Sequence, residues 1–266
     1  MNIKLDELIV DAAAIARSAG KLILKLSSQE QQISYKSARD MVTEVDQASE
    51  SYILSEINRL YPKHDILAEE GGESTQNKSP YKWIIDPLDG TTNFVHGFPA
   101  FAVSIGIQYE GDLVAASIYD PTRDELYTAG KDLGAFLNGK PIAVSRTLEL
   151  GKSLLATGFP YFNDDHFKLN MELWTNIYGK TQGLRRAGAA ALDLAWVACG
   201  RLDGYWEFKI KPWDMAAGAL LVKEAGGLVS GPRGEALDMT TGHIIAANPS
   251  IHSHIIEEID LFKHRI

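Results

Sequence analysis

Two aspartates three residues apart follow a short apolar run in the segment WIIDPLDGTTNF, residues 83–94. A strand that delivers Asp86 and Asp89 to its carboxyl end, followed by a polar turn that opens a helix, presents carboxylates and backbone N–H groups together. That combination suits a metal ion and a phosphate. Pro87 favours an extended conformation for Asp86, which argues against an ordinary helix. A surface turn of the DPxDG type fits the same residues, so the segment alone leaves both interpretations open.

Other carboxylates stand where apolar runs or helices begin or end. Glu69 follows the apolar run 66–68, Asp214 opens a predicted helix, and Asp46 ends the segment DMVTEVD. A solvated loop explains Glu69, and helix caps explain Asp214 and Asp46. Neither explains why so many acids follow apolar runs, because carboxylates gathered at one sheet edge repel each other unless cations neutralise them.

Carboxylates with carbonyl and water oxygens form a site for a hard cation. The seven histidines are scattered and the chain has one cysteine, so nothing resembles a zinc motif. The sequence therefore favours Mg²⁺ over zinc. Several such ions beside backbone N–H groups indicate chemistry on phosphate.

The composition is that of an ordinary globular protein. The 266 residues are 45% apolar and carry a net charge of -9, which argues against direct nucleic-acid binding and against an anionic membrane face. Cys199 is the only cysteine, so no internal disulfide is expected. The first 28 residues resemble neither a signal nor a transit peptide, and no apolar run is long enough to span a membrane. We expect a soluble cytoplasmic protein.

Hydrophobic periodicity predicts helices and strands that alternate in the second half of the chain, with a β-rich middle. Residues 36–45 are polar and expected to be irregular. The pattern indicates a layered αβα arrangement in a single domain of residues 1–266, with possible sub-lobes 1–145 and 146–266. The predicted helices cover about 5–26, 43–61, 167–177, 189–198, 214–225 and a last one from 249, and the main predicted strands cover 102–109, 113–119, 125–129, 154–158, 204–208 and 244–247.

Four ordered segments make the chain resemble the inositol monophosphatase family over nearly its whole length. They are DPLDGTTNF from Asp86, WDMAAG from Trp213, DMVTEVD from Asp40 and AEE from Ala68. The resemblance implies an α+β fold, an αβαβα layered sandwich, and a homodimer.

The resemblance also implies which residues hold metal. Glu69, Asp86 and the carbonyl of Leu88 would hold the first Mg²⁺. Asp86, Asp89 and Asp214 would hold the second, and Glu69 would serve a weaker third.

The remaining site residues are likewise implied by the resemblance. Thr91, supported by Asp46, would orient the attacking water, and Glu69 joins them as the third catalytic residue. The backbone N–H groups of Gly90 and Thr91 would cradle the phosphate. The substrate-binding set implied is Asp89, Gly90, Thr91, Gly188, Ala190, Glu207 and Asp214.

The implied function is Mg²⁺-dependent hydrolysis of myo-inositol 1-phosphate, or a similar small polyol or sugar phosphate, by metal-activated water, with lithium sensitivity. Relatives acting on histidinol phosphate, fructose 1,6-bisphosphate, NADP or 3′-phosphoadenosine 5′-phosphate stay open, although GTTNF favours the inositol type over the nucleotide type. A regulatory partner of the transcription machinery is the alternative from another class. Basic residues at 185, 186, 209 and 211 are solvated, serve a subunit contact, or are placed to accept more anionic phosphates.

Overall fold

The structure is a computed structural model that describes residues 4–27, 33–37, 40–74, 78–160 and 164–262. The side chain of Asp40, at the start of DMVTEVD, lies outside the described part. The helices of the described ranges are α1 (Leu5–Leu26), α2 (Glu44–Leu60), α3 (Thr91–Val95), α4 (Asp165–Tyr178), α5 (Ala190–Ala198), α6 (Pro212–Glu224) and α7 (Pro249–Asp260), with one 3₁₀ turn at Leu150–Lys152.

The strands of the described ranges form three sheets. β1 and β2 make a separate hairpin, eight strands form a sheet in the order β10-β9-β8-β7-β6-β5-β3-β4, and five form a sheet in the order β12-β11-β13-β15-β14. Their bounds are β1 (Ile33–Ser37), β2 (Asp40–Thr43), β3 (Asp65–Ala68), β4 (Gly72–Ser74), β5 (Tyr81–Asp89), β6 (Ala102–Tyr109), β7 (Asp112–Asp120), β8 (Glu125–Gly130), β9 (Gly134–Leu137), β10 (Lys140–Pro141), β11 (Leu154–Thr157), β12 (Gly183–Arg185), β13 (Gly204–Glu207), β14 (Leu228–Ser230) and β15 (Ile244–Ala247).

Helices and sheets alternate in five layers. Helices α1 and α2 cover the outer face of the eight-stranded sheet, and α5 with α6 lie between the two sheets. Helices α4 and α7 pack against the outer face of the five-stranded sheet. The αβαβα sandwich implied by the resemblance is therefore confirmed. The division near residue 145 stays a prediction.

Each interface between layers has its own apolar core. The first core joins the buried stripe of α1, including Leu8 and Ile15, to Trp83 of β5. The middle core contains most of α6, which is buried from Met215 to Val222 as expected for a helix enclosed between two sheets. The third core joins Trp206 of β13 to α4 and α7. Burial on both faces explains why the strands of the two sheets read as continuous apolar runs.

Close packing in the middle layer explains the glycine of WDMAAG. A Cβ added to Gly218 would lie 2.4 Å from Cβ of Leu194 on α5. Only a residue without a side chain lets α6 approach α5 so closely. The motif therefore has a packing role in addition to the acid that it carries.

The expectation of irregular structure at 36–45 is wrong in part. Residues 33–37 and 40–43 form the antiparallel hairpin of β1 and β2, with Ser34 opposite Val42. The strands are short and polar, so their sequence lacks the alternation that would have revealed them. Helix α2 then begins at the residue after Thr43, and Pro62 follows its end, as the sequence indicated.

Candidate active site

Parallel pairing of β3 with β5 brings the first two acids together. Ala68 is paired with Ile85, so Glu69 and Asp86 leave neighbouring strands at the same edge of the sheet. The N–H of Glu69 donates to the carbonyl of Ile85 at 3.2 Å, which continues the ladder by one residue. The apolar runs before both acids are buried, and this burial anchors the two carboxylates.

The segment from Asp86 to Asp89 is a strand end and not a surface turn. Strand β5 continues through Pro87, with an irregularity in its pairing to β6 between Asp86 and Asp89. Asp86 is 2% exposed and Asp89 is 8% exposed. The N–H of Leu88 donates to Oδ1 of Asp86 at 3.0 Å. The interpretation as a solvated DPxDG turn is therefore wrong, because both carboxylates are buried.

Helix α2 supports this segment with three residues on one face. Asp46, Ser49 and Glu50 are spaced so that they share a helix face, and all three are buried. The hydroxyl of Ser49 donates to the carbonyl of Pro87 at 2.8 Å. Oε2 of Glu50 accepts the N–H of Glu70 at 2.9 Å. Sequence reasoning identified Asp46 but missed the other two, although their spacing from Asp46 was visible.

Asp46 links the start of α2 to Thr91. Its Oδ2 accepts the N–H of Thr43 at 2.8 Å, which closes a capping box. Its Oδ1 accepts the hydroxyl of Thr91 at 2.7 Å. The carbonyl of Leu88 lies 3.1 Å from the same hydroxyl. Asp46 therefore caps the helix and also accepts the hydroxyl hydrogen of Thr91, while its catalytic role stays a prediction.

Gly90 makes the turn between β5 and α3. Its φ of 92° lies in the left-handed region, where side chains other than hydrogen are strained. A Cβ at this position would also lie 2.8 Å from the carbonyl oxygen of Ala100. Both conditions require glycine between the second aspartate and Thr91.

We expect Gly90→Ala to destabilise the fold more than Gly97→Ala does. Gly97 also has a positive φ, 68°, but an added Cβ meets nothing within 4 Å. Left-handed strain alone costs about 1 kcal/mol, and the contact with Ala100 should add about 1 kcal/mol or more. Urea unfolding of the two variants measures the difference, and equal losses would show that the Ala100 contact is not restrictive.

Asp214 comes from the far end of the chain. It lies in the first turn of α6, where its Oδ2 accepts the N–H of Lys211 at 2.7 Å. Part of its side chain still meets solvent. It therefore caps the helix as well as facing the other acids.

Burial and mutual repulsion raise the pKa values of these carboxyl groups. Burial raises the pKa of Asp86 well above its usual value, and Glu69, Asp89 and Asp214 raise it further. Burial also raises the pKa of Asp89 to about 7, opposed by the N–H of Ala191. The pKa of Asp214 is raised by burial and by Asp89. Four acids from distant parts of the chain thus lie within electrostatic reach of one another.

The donor set fits a hard divalent cation. Neighbouring carboxyl groups are costly to ionise together, so a bound cation stabilises their ionised forms. The carbonyl oxygen of Leu88 is a further oxygen ligand of the kind that such cations prefer. Within the described ranges, no three Asp, Glu, His or Cys side chains already meet as a complete metal site. Small side-chain rotations and the Leu88 carbonyl would be needed to surround an ion at about 2.0 to 2.1 Å.

The predicted substrate residues lie against this acidic group. Oδ2 of Asp89 accepts the N–H of Ala191 at 2.7 Å, which ties the strand end to the first turn of α5. Gly188 and Ala190 immediately precede that contact. Gly188 has a φ of 84°, in the left-handed region that favours glycine.

Glu207 ends β13 on the other side of the site. The hydroxyl of Tyr205 donates to its carboxylate, and the carboxylate packs so closely on Gly158 that a side chain there would collide with it. Burial raises the pKa of Glu207 to about 7, while Tyr205 and Arg186 oppose the rise. Glu207 is thus buried near the loop that carries Gly188.

Asp193 is a further acid that the sequence analysis missed. It lies on α5, is 1% exposed, and its Oδ1 has no hydrogen-bond partner within the described part of the chain. Burial raises its pKa well above the usual value, and Glu207 and Asp89 add to the rise. In the sequence, Asp193 could have been recognised as the only charged residue in the apolar run AALDLAWVA.

The basic residues divide into two groups. Arg185, Lys209 and Lys211 are exposed, in agreement with solvated side chains. Arg186 is exposed as well, but its positive charge lowers the pKa of Asp193. Its charge therefore acts on the protein's own acids, besides any effect on a substrate.

A layered α+β sandwich with acids converging at a strand end defines the class of sugar-phosphatase folds. The family model described as "Inositol monophosphatase family" matches residues 4–262. The chain belongs to the inositol monophosphatase family.

Relatives and solved structures agree with that assignment. The chain is 48% identical over 243 residues to an inositol-1-monophosphatase of Synechocystis, covering 91% of this chain and 85% of that protein. It is 47% identical over 254 residues to the Nus factor SuhB of Pseudomonas aeruginosa, covering 93% and 94%. The crystal structure of the extragenic suppressor protein suhB from Bartonella henselae superposes with a TM-score of 0.92 at 38% identity, covering 95% and 98%.

Two further expectations concern membranes and nucleic acid. In the described part of the chain, no helix combines the length and apolar character that crossing a membrane requires. The name Nus factor, carried by several relatives, stands in tension with the expectation of no nucleic-acid contact.

Proposed function

We propose that the protein is a Mg²⁺-dependent phosphate monoester hydrolase that acts on myo-inositol 1-phosphate or a similar small polyol phosphate. The observation that carries the proposal is the convergence of Glu69, Asp86, Asp89 and Asp214, where burial first and mutual repulsion second raise the pKa values of the three aspartates. Such a group is costly unless cations neutralise it. The name of the Synechocystis relative supports the choice of inositol phosphate.

Metal ligands are assigned by combining the family resemblance with this geometry. Glu69, Asp86 and the Leu88 carbonyl would hold one ion, Asp86, Asp89 and Asp214 a second, and Glu69 would contribute to a third. Bound ions supply Lewis acidity and positive charge for the phosphate.

The protein groups orient and deprotonate the attacking water. With its hydrogen donated to Asp46, Thr91 keeps its lone pairs available to accept from a water molecule. Because a hydroxyl is a poor base, Glu69 takes the proton as the water attacks phosphorus. The N–H groups of Gly90 and Thr91 bind the phosphate oxygens.

The opposite wall binds the alcohol that leaves. Glu207 is an acceptor for hydroxyl groups of the substrate, and the backbone at Gly188 and Ala190 completes that contact. These residues carry no positive charge, which favours a neutral polyol over a second phosphate.

A panel of phosphate esters tests the proposal. Purified protein with Mg²⁺ should release phosphate fastest from inositol phosphates, and more slowly from histidinol phosphate, fructose 1,6-bisphosphate and nucleotide phosphates. Absence of release from every ester would overturn the enzyme function. Preference for a bisphosphate or a nucleotide would support the proposed reaction but contradict the proposed substrate.

Stability should respond to pH and Mg²⁺ in a linked way. The pKa values of Asp89 and Glu207 are raised to about 7 in the folded protein. Groups with raised folded pKa values stabilise the fold at low pH and lose that contribution as pH rises through about 7. Without metal, Tm should therefore fall between about pH 5.5 and about pH 8.5. The increase in Tm caused by Mg²⁺ should be larger at the higher pH, because protons no longer compete for Asp89.

The matched control for this prediction is Asp89→Asn. The variant lacks one titrating ligand, so its increase in Tm with Mg²⁺ should be smaller and less dependent on pH. Equal Mg²⁺ effects at both pH values in the unmodified protein would contradict the assignment of Asp89 as a ligand.

Further properties follow from the resemblance and form part of the proposal. They are inhibition by lithium, a homodimer, and a cytoplasmic location. Sedimentation of the purified protein tests the dimer, and phosphate release with added Li⁺ tests the inhibition.

A second candidate function is a regulatory role in transcription. The observation that favours it is the name Nus factor SuhB given to relatives that align over most of the chain. The role is compatible with catalysis. Capture of RNA polymerase by both the unmodified protein and Asp86→Asn would support a role that needs no turnover, and failure of both to capture it would count against this role.

A further inference from the structure

We propose that Asn93 is a positioning residue that sets selectivity for the leaving alcohol by fixing the loop of residues 187–190 against the phosphate-binding turn. This inference rests on the proposed function, since it concerns how the same site recognises a polyol. Asn93 itself needs no contact with the substrate.

The side-chain amide of Asn93 joins segments that are far apart in the chain. From α3, its Nδ2 lies 2.6 Å from the carbonyl oxygen of Ala100, 2.8 Å from that of Ala187 and 3.3 Å from that of Gly188. An amide nitrogen has two hydrogens, so Ala100 and Ala187 take the best bonds and Gly188 the weaker contact. The amide nitrogen must face these three carbonyl oxygens. In the flipped orientation the amide oxygen, which only accepts hydrogen bonds, would face them instead.

The loop of residues 187–190 is held at both ends. Asn93 binds its first two residues, and the N–H of Ala191, just beyond its last residue, donates to Asp89 at 2.7 Å. Changing Asp89 would remove a proposed metal ligand as well as a loop contact. Changing Asn93 removes its contacts with the loop and with Ala100 but none of the proposed metal ligands, so this residue can be tested separately from the metal site.

The conformation of Gly188 shows how closely the start of the loop is packed. Gly188 is in a left-handed conformation, with φ of 84°. A Cβ there would lie 2.3 Å from Nη1 of Arg186 and 3.4 Å from Nδ2 of Asn93. The guanidinium and the amide therefore enclose the glycine, and the amide donates hydrogen bonds to the loop.

Loss of the Asn93 amide should therefore weaken binding of the leaving alcohol and leave binding of the phosphate unchanged. The phosphate would be held by the N–H groups of Gly90 and Thr91, and the hydrogen bonds of the Asn93 amide go to other residues. Hydroxyl groups of the alcohol would be held by the loop that the amide fixes. A phosphate ester whose leaving group has no hydroxyl groups, such as p-nitrophenyl phosphate, should therefore be insensitive to the loop.

The test compares two substrates in Asn93→Asp and Asn93→Leu. The first variant points a carboxylate at three carbonyl oxygens, and the second removes both donors while keeping the branching and the number of heavy atoms of the side chain. For myo-inositol 1-phosphate, we expect KM to rise about tenfold to a hundredfold, as for loss of a buried hydrogen bond, with little change in kcat. For p-nitrophenyl phosphate, kcat/KM should change by less than about threefold.

Thr92→Ala is the matched control, because Thr92 is the exposed neighbour on the same short helix. It should behave as the unmodified protein does with both substrates. Asn93→Gln, which keeps the amide, should lose less than Asn93→Leu.

The outcomes separate this inference from the proposed function. If the unmodified protein hydrolyses neither ester, the proposed function fails. If it hydrolyses both and the Asn93 variants lose both equally, the function stands and the positioning role is wrong. Failure of all three Asn93 variants to fold would also overturn the role, because Asn93 would then be a residue of the fold.

Discussion

Replacing Asp86 with Asn should abolish turnover and at the same time stabilise the metal-free protein. Asn keeps an oxygen for the N–H of Leu88, so the fold should be retained. It removes the carboxylate proposed to bridge two ions, and kcat/KM should fall by at least about 10³-fold, or about 4 kcal/mol. It also removes a buried charge beside Glu69, Asp89 and Asp214, so the Tm measured in chelator at neutral pH should rise.

Asp112→Asn is the control for this pair of effects. Asp112 lies on the same sheet, but its side chain is 74% exposed and paired with Lys131. Both activity and Tm should stay close to those of the unmodified protein, as expected for a surface ion pair. An Asp86→Asn protein that keeps most of its activity would end the proposed mechanism. A lower Tm of the Asp86→Asn protein in chelator would contradict the proposed repulsion between Asp86 and the neighbouring acids.

Removing the hydroxyl of Thr91 should give the second largest loss. Thr91→Ala leaves Oδ1 of Asp46 without its donor at 2.7 Å and leaves the attacking water unoriented. A loss of kcat of about 10² to 10³-fold is expected for a group of this kind. Steady-state phosphate release with Mg²⁺ measures it.

Thr91→Ser and Thr92→Ala provide the comparison. Serine restores the hydroxyl and should recover most of the activity. Thr92 is the exposed next residue, so its replacement should have little effect. Equal activities of the Ala and Ser variants at position 91 would show that the hydroxyl has no catalytic part, and Asp46 would then be a helix cap alone.

Long apolar patterns predicted most of the fold because burial determines them. Helix α1, the strands of the β-rich middle and the alternating second half follow from periodicity, and the structure agrees within a few residues. The hairpin of residues 33–43 was missed because short polar strands carry no periodic signal. Strand β14 was missed for a similar reason, since it has only three residues.

The acids of the candidate site could be predicted, but their supports could not. Asp86 and Glu69 follow apolar strands, and parallel pairing then forces them together. Ser49 and Asn93 contact residues distant in sequence, and Tyr205 contacts the end of its own strand. The types of these residues alone indicate nothing about those contacts. Such contacts depend on how layers pack, which a single sequence without its structure does not display.

Addition of Mg²⁺ to the metal-stripped protein, followed by release of phosphate from myo-inositol 1-phosphate, tests most directly whether the converging acids form a metal-dependent phosphatase. We expect no release in chelator and a rate that rises with Mg²⁺ to a plateau, with no such rise in Asp86→Asn. Release at the full rate in chelator, or none at any Mg²⁺ concentration, would contradict this.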